Sequence, residues 1–276
     1  MVKRIQWYLR IVKLSGLALL MLWTVTPVYI IVSNAFRQTL DIKKMPPALI
    51  FTPFFKHFER LFALDNFLRY FVNSIVISVS VTFVTIAFGT LAAYGLKLFR
   101  SRVGERLSNL LLLGKLVPAI TVLLPMYIIM NRLRLTGTYF GPILAHAAMG
   151  IPFITWIMTC FIRDIPNELL ESATVDGCSR MRAFFHIIFP MLTPAIASAV
   201  ILIMQFSWNE LLFSLQLTNI DTYPLTVGIA RYVGAISVDW GKSSAAATIT
   251  IVPIIIVGFF MQKYLVSGMT AGAVKG

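Results

Sequence analysis

Six apolar runs, each about as long as the roughly 20 residues a helix needs to cross a bilayer, constrain this chain more than any other feature. They fall at residues 14 to 36, 70 to 96, 108 to 130, 140 to 162, 191 to 216 and 243 to 264. Composition agrees: 58% of residues are hydrophobic, 13% are charged and mean hydropathy is +0.82, whereas soluble domains run at about 45 to 50% apolar and about 25% charged. Backbone polar groups in hydrocarbon must be satisfied by a helix or a closed barrel, and no run alternates as barrel strands do. The expected fold class is all-α, one polytopic membrane domain over 1–276 with six transmembrane helices and a polar loop at 163–190. The first run is too long for the apolar part of a cleavable signal and lacks a small-residue cleavage site before its end, so it is expected to remain a span. Pro27, Pro118, Pro125, Pro152 and Pro253 lie inside the runs, where membrane helices accept them as kinks.

The formal charge of +13 comes from bases at the ends of the apolar runs; no basic stripe interleaved with aromatics marks a nucleic-acid surface. Cys160 and Cys178 have neither metal-ligand spacing nor the pattern of a disulfide framework. His57, His146 and His186 are scattered, which argues against a membrane-embedded enzyme. Short basic segments set orientation: Lys3, Arg4, Arg10 and Lys13 precede the first span, and Lys97, Arg100, Arg102 and Arg106 follow the second. Both termini are therefore expected on the cytoplasmic side. Segment 37–69 becomes external, with one short amphipathic helix around 54 to 64.

The loop at 163–190 carries Arg163, Asp164, Glu168, Glu171, Asp176, Arg180 and Arg182, side chains that cost roughly 2.5 to 3.5 kcal/mol each in hydrocarbon. It must face water. Pro166 suits a first helical position, Glu168 and Glu171 lie near the positive end of the dipole, and Gly177 suits a left-handed C-terminal position. These signals predict a helix over 166–176 with an apolar stripe of Pro166, Leu169, Leu170 and Ala173 opposite Asn167, Glu168, Glu171 and Thr174. Ser179 is expected to cap a second helix through Met181, Phe184, Phe185 and Ile188, ended by Pro190. Small Ser172, Ala173 and Gly177 permit close approach by another protein surface; the competing reading is a loop lying flat on the membrane.

Glu171-Ser172-Ala173, three residues, Gly177, nine residues and then Ile187-Ile188-Phe189-Pro190 resembles the Glu-Ala-Ala loop of ATP-binding-cassette importer permeases. Ser172 replaces the second Ala of that pattern and Phe189 replaces a Leu. Asn73-Ser74, Leu123-Leu124-Pro125-Met126-Tyr127, Trp208-Asn209-Glu210 and the terminus from Gly268 to Gly276 look like the carbohydrate importers, and the terminus is similar to that of the second permease subunit of maltose-type systems. The resemblance implies a transport subunit, not an enzyme, in a bacterial inner membrane. It implies half of a translocation pathway, completed by a homologous permease, and two ATPase subunits that bind ATP and Mg, with no cofactor in this chain. An extracytoplasmic sugar-binding protein delivers the cargo. It also implies that Glu171, Ser172, Ala173, Asp176 and Gly177 couple to the ATPase, and that a tail including Thr270, Gly272 and Lys275 reaches the ATPase interface.

Polar residues inside spans face the bundle interior or a water-filled path, which selects Lys115, His146, Gln205, Asn209 and Glu210. His146 and Gln205 are expected to tie helices together. Asn209 and Glu210, with the ring of Trp208 beside them, are the pathway candidates. The competing function is an ion-coupled secondary transporter, which would show an internal repeat with paired broken helices; no such repeat is evident between the halves.

Overall fold

The computed structural model describes residues 2–44, 50–64, 66–99, 102–232 and 238–271. In chain order the helices are α1 (Val2–Ala35), α2 (Thr39–Ile42), α3 (Lys56–Leu64), α4 (Phe67–Leu98), α5 (Arg102–Leu113), α6 (Ala119–Arg132), α7 (Phe140–Arg163) and α8 (Asn167–Val175). They continue as α9 (Arg180–Ala183), α10 (Phe189–Met191), α11 (Thr193–Asn209), α12 (Leu212–Leu217), α13 (Leu225–Ala230) and α14 (Trp240–Ala271). A 3-10 turn, Gly114–Leu116, follows α5, and a π-helical turn, Phe184–Ile188, joins α9 to α10.

Among the described residues, four of the expected spans are single helices long and apolar enough to cross a membrane; they lie in α1, α4, α7 and α14. The other two are bent pairs, α5 with α6 at 96° and the segment Arg180–Met191 with α11 at 78°, giving six only if each pair counts as one span. Local chemistry explains both departures from straight spans at 108–130 and 191–216. Val117 is extended (ψ 120°), the conformation the residue before Pro118 is pushed into. Pro194 stands in the first turn of α11 and has no N–H to continue a helix from α10; the Thr193 hydroxyl donates instead to the Pro190 carbonyl at 2.8 Å. The break therefore falls at Leu192, after Pro190, the residue expected to end the helix. At the other end α11 stops at Asn209, because Glu210 is extended (ψ 124°).

The chain packs as two compact units, 1–67 with 229–252 and 68–228 with 253–276. In the first unit, α1 presents apolar residues all round, with Trp23 80% exposed, as a helix facing lipid or a partner chain does. Burial begins near its end, at Ser33, Ala35 and Arg37. Phe36 packs against Phe55 and Phe58, and the buried His57 ring meets the Arg37 carbonyl at 2.9 Å. The short amphipathic helix expected around 54 to 64 is α3.

In the second unit, Ile77, Val81 and Ile86 of α4 pack in one core with Ile154, Met158 and Ile162 of α7 and Ala195, Ala199 and Ile203 of α11. Small residues bring these helices together, as membrane interfaces favour. A Cβ on Gly89 would lie 2.7 Å from Ile154 Cγ2, and one on Gly150 would lie 3.0 Å from Thr85 Cγ2 and 3.3 Å from Ile203 Cδ1. Gly150→Leu is therefore expected to lower the detergent-solubilised melting temperature by several degrees, since overpacking costs about 1 to 3 kcal/mol. An unchanged melting curve would show that the α4–α7 contact has slack.

Candidate functional site: the docking helix and the polar hub

The polar loop folds as helix, turn, helix. α8 closes with Gly177 at φ +74°; its N–H donates to the Thr174 carbonyl at 3.1 Å and the Cys178 N–H donates to Ala173 at 2.8 Å. That bond pair is the Schellman arrangement, which places a left-handed residue one past the helix and so favours glycine. Ser179 Oγ accepts from the Arg182 N–H at 3.4 Å and starts α9. Pro166 stands one residue before α8, as its cap (ψ 138°), not inside the helix.

The end of α4 holds this loop in place. Lys97 Nζ donates to the carbonyls of Ile162 (2.8 Å) and Ile165, one in the last turn of α7 and one just past it, where a cation suits the helix dipole. Tyr94 Oη donates to the Arg180 carbonyl at 3.0 Å. Ile165, Ala173 and Ala183 are buried and Leu170 is half-buried against the same core. Between α4 and the loop lies a cleft of about 540 Å³ lined by Lys97, Asn167, Glu171, Thr174 and Arg180, among others.

These contacts redistribute the faces expected from sequence. Leu170 and Ala173 face their own chain, whereas Leu169 of the same expected stripe is 40% exposed. Asn167, Glu171 and Thr174 border the cleft. The open face is Glu168, Leu169, Ser172, Val175 and Asp176, with Ser172 central at 3.6 residues per turn. Val175, at 87% exposure, is the apolar knob on it, and sequence reasoning passed over it because it lies off the apolar stripe. Past the helix end, a Cβ on Gly177 would meet nothing within 4 Å; the space beside it is open.

The second cluster lies where α11 breaks. His146, fully buried in α7, places Nε2 2.8 Å from Glu210 Oε2 and Nδ1 3.0 Å from Ser207 Oγ. Glu210 also accepts from the backbone N–H groups of Phe213 (2.8 Å) and Ser214 (3.0 Å) and from the Ser214 hydroxyl (3.1 Å), so it caps α12. Its own carbonyl accepts from Thr226 Oγ1 at 2.9 Å. One residue thus ties α7, α11, α12 and α13. His146 joins helices, as expected. Gln205 is exposed, and only its backbone carbonyl is engaged, by Asn209 Nδ2 at 2.9 Å. Of the three pathway candidates only Asn209 is exposed; Trp208 is 2% exposed and packs edge-on to Phe71, and Glu210 is spent on internal bonds. The break that turns Glu210 inward needs a backbone change that no apolar periodicity announces. Of the tail, Thr270 falls in α14, while Gly272 and Lys275 lie outside the described residues.

The fold defines a helical membrane protein whose polar loop carries a short exposed helix, α8. The family described as "Binding-protein-dependent transport system inner membrane component" matches residues 85–271. The chain is 33% identical over 98% of its length to the probable ABC transporter permease protein YurM of Bacillus subtilis (strain 168), spanning 88% of that protein. It is 30% identical over 92% of its length to the trehalose transport system permease protein SugB of Mycobacterium tuberculosis (strain CDC 1551 / Oshkosh), spanning 93% of it. Its fold matches a chain of a bacterial ABC transporter involved in the import of the acidic polysaccharide alginate with TM-score 0.80 at 21% identity, covering 92% of this chain and 95% of that one. The chain belongs to the binding-protein-dependent transport family of inner-membrane permease components. Helix α8 and the polar hub both lie within the matched residues.

Proposed function

We propose that this chain is one of two permease subunits of an ATP-driven sugar importer of the maltose type, in a bacterial inner membrane with both termini cytoplasmic. The observation that carries the reading is the open face of α8: Ser172 at its centre, Val175 as a knob and Gly177 without a neighbour form a narrow, low-profile surface on a water-facing loop. Such a surface fits a groove on another protein better than a flat membrane surface, because Glu168 and Asp176 flank it. The relationship to SugB, named for trehalose transport, supports a sugar as cargo.

In this reading α8 docks on one of two ATPase subunits, which bind ATP and Mg, and α4 receives the motion through Lys97 and Tyr94. A homologous permease completes the pathway, in which Asn209 is the exposed member of the expected trio. An external binding protein delivers the sugar, and the tail carrying Thr270, Gly272 and Lys275 reaches the ATPase interface. The ion-coupled alternative gains no specific observation.

Val175→Asp tests the docking face. It puts a charge on the apolar knob without touching the loop's own hydrogen bonds, so co-purification of the ATPase subunit should fall at least tenfold, the cost of about 1.4 kcal/mol or more, while membrane abundance stays normal. Undiminished co-purification would move the interface elsewhere. Orientation is tested by fusing a reporter active only outside the cytoplasm: near residue 50 it should be active, and near residue 104 silent.

A further inference from the structure

Lys115 is a cation that neither the α8 loop nor the hub absorbs. It sits in the 3-10 turn between α5 and α6, half-buried, with Nζ 5.0 Å from the ring centre of Phe206 in α11 and 5.5 Å from that of Phe153 in α7. Phe153 lies about 15 Å from the Arg163 end of α7, by a rise of about 1.5 Å per residue, which is mid-depth for a hydrocarbon core of about 30 Å. The ion pairs formed among the described residues do not include Lys115. Two aromatic faces hold an ammonium in place and supply some of the attraction lost with water, and among the described residues its N–H donors meet no acceptor.

A charge at this depth does not face lipid; it faces water, a ligand or another protein. Its surroundings favour a ligand path. Gln205 and Asn209, one turn apart on α11 beside Phe206, are also exposed, and unpaired amides at that depth are disfavoured in lipid too. An ammonium over two phenyl rings, with two carboxamides on the α11 helix that carries one of the rings, offers charge, hydrogen bonds and stacking surface.

We propose that Lys115 is the anion-recognising group of the translocation path and that the carried sugar bears an acidic substituent, a carboxylate or a sulfonate. The inference rests on the sugar-importer reading and narrows its substrate class. Lys115 donates to the acidic group, Gln205 and Asn209 hydrogen-bond sugar hydroxyls, and Phe153 and Phe206 hold the ammonium and meet the apolar face of the ring. The Glu210 carboxylate of the hub is engaged by His146, Phe213 and Ser214.

The test uses the whole importer in cells, offered labelled hexuronate disaccharides, a sulfonated hexose and neutral disaccharides of matched size. The acidic sugars should be carried best. Lys115→Gln should cut their uptake at least tenfold, as loss of a charge-assisted hydrogen bond implies, leave any neutral-sugar uptake unchanged, and leave co-purification of the subunits intact; Lys115→Arg should retain uptake within about threefold. A best-carried sugar that is neutral, or full acidic-sugar uptake by Lys115→Gln, overturns the proposal and leaves the sugar importer standing. Loss of subunit co-purification in both variants overturns it in favour of an ion pair with the partner permease. A complex that carries none of the sugars, acidic or neutral, removes both readings.

Discussion

Gly177→Pro should reduce uptake to background while leaving the protein in the membrane at normal abundance. Proline fixes φ near −65° and lacks an N–H, whereas position 177 has φ +74° and donates to the Thr174 carbonyl at 3.1 Å. Both Schellman bonds depend on that backbone, so the chain leaving α8 would take a new direction and α9 would lose its register beneath Tyr94. The membrane core has no stake in the turn, because a Cβ at 177 meets nothing within 4 Å. Gly177→Ala separates backbone from contact. The left-handed conformation costs a non-glycine residue about 1 to 2 kcal/mol, and any larger loss of coupling reports a partner surface pressed against the glycine. Uptake assayed beside an immunoblot of the membrane fraction checks both variants, and wild-type uptake by Gly177→Pro would remove the turn from the mechanism.

Glu210→Ala should be at least as damaging, and through folding. The substitution strands a fully buried His146, removes the acceptor from the Phe213 and Ser214 N–H groups and frees the Ser214 hydroxyl. Removing one partner of a buried pair costs about 3 to 5 kcal/mol, a large share of the 5 to 15 kcal/mol by which domains are stable. The expected result is a steep fall in membrane yield and a lower melting temperature in detergent. Glu210→Gln keeps one acceptor oxygen, enough for the Ser214 N–H but not also for the Phe213 N–H, which now binds the other carboxylate oxygen, and should recover part of the yield. If Glu210→Ala is as stable as the parent, the hub does not hold the α11–α12 break.

The class of the protein was legible because apolar run length and the charges between the runs are read directly from residue types. So were the turn at Gly177 and the cap at Ser179, since each depends on one residue's backbone preference. The bends were not. Pro118 and Pro194 stand at the breaks of α5–α6 and α10–α11, yet Pro27, Pro125, Pro152 and Pro253 sit inside continuous helices; a proline is compatible with either outcome, so its place in the sequence does not announce a break. The faces of α8 were half legible: helical periodicity grouped Leu169 with Leu170 and Ala173, but only the position of α4 decides which of them the chain covers for itself. Glu210 illustrates the same limit. A polar residue in an apolar run signals a partner, and its sequence does not say whether that partner is cargo or a histidine on another helix.

The most direct measurement of the central claim is transport into proteoliposomes containing the intact complex purified with this chain, supplied with its binding protein and a labelled sugar. The account predicts accumulation only when ATP is hydrolysed on the side bearing α8, with no response to an imposed proton or sodium gradient. Accumulation driven by an ion gradient in the absence of ATP would contradict it.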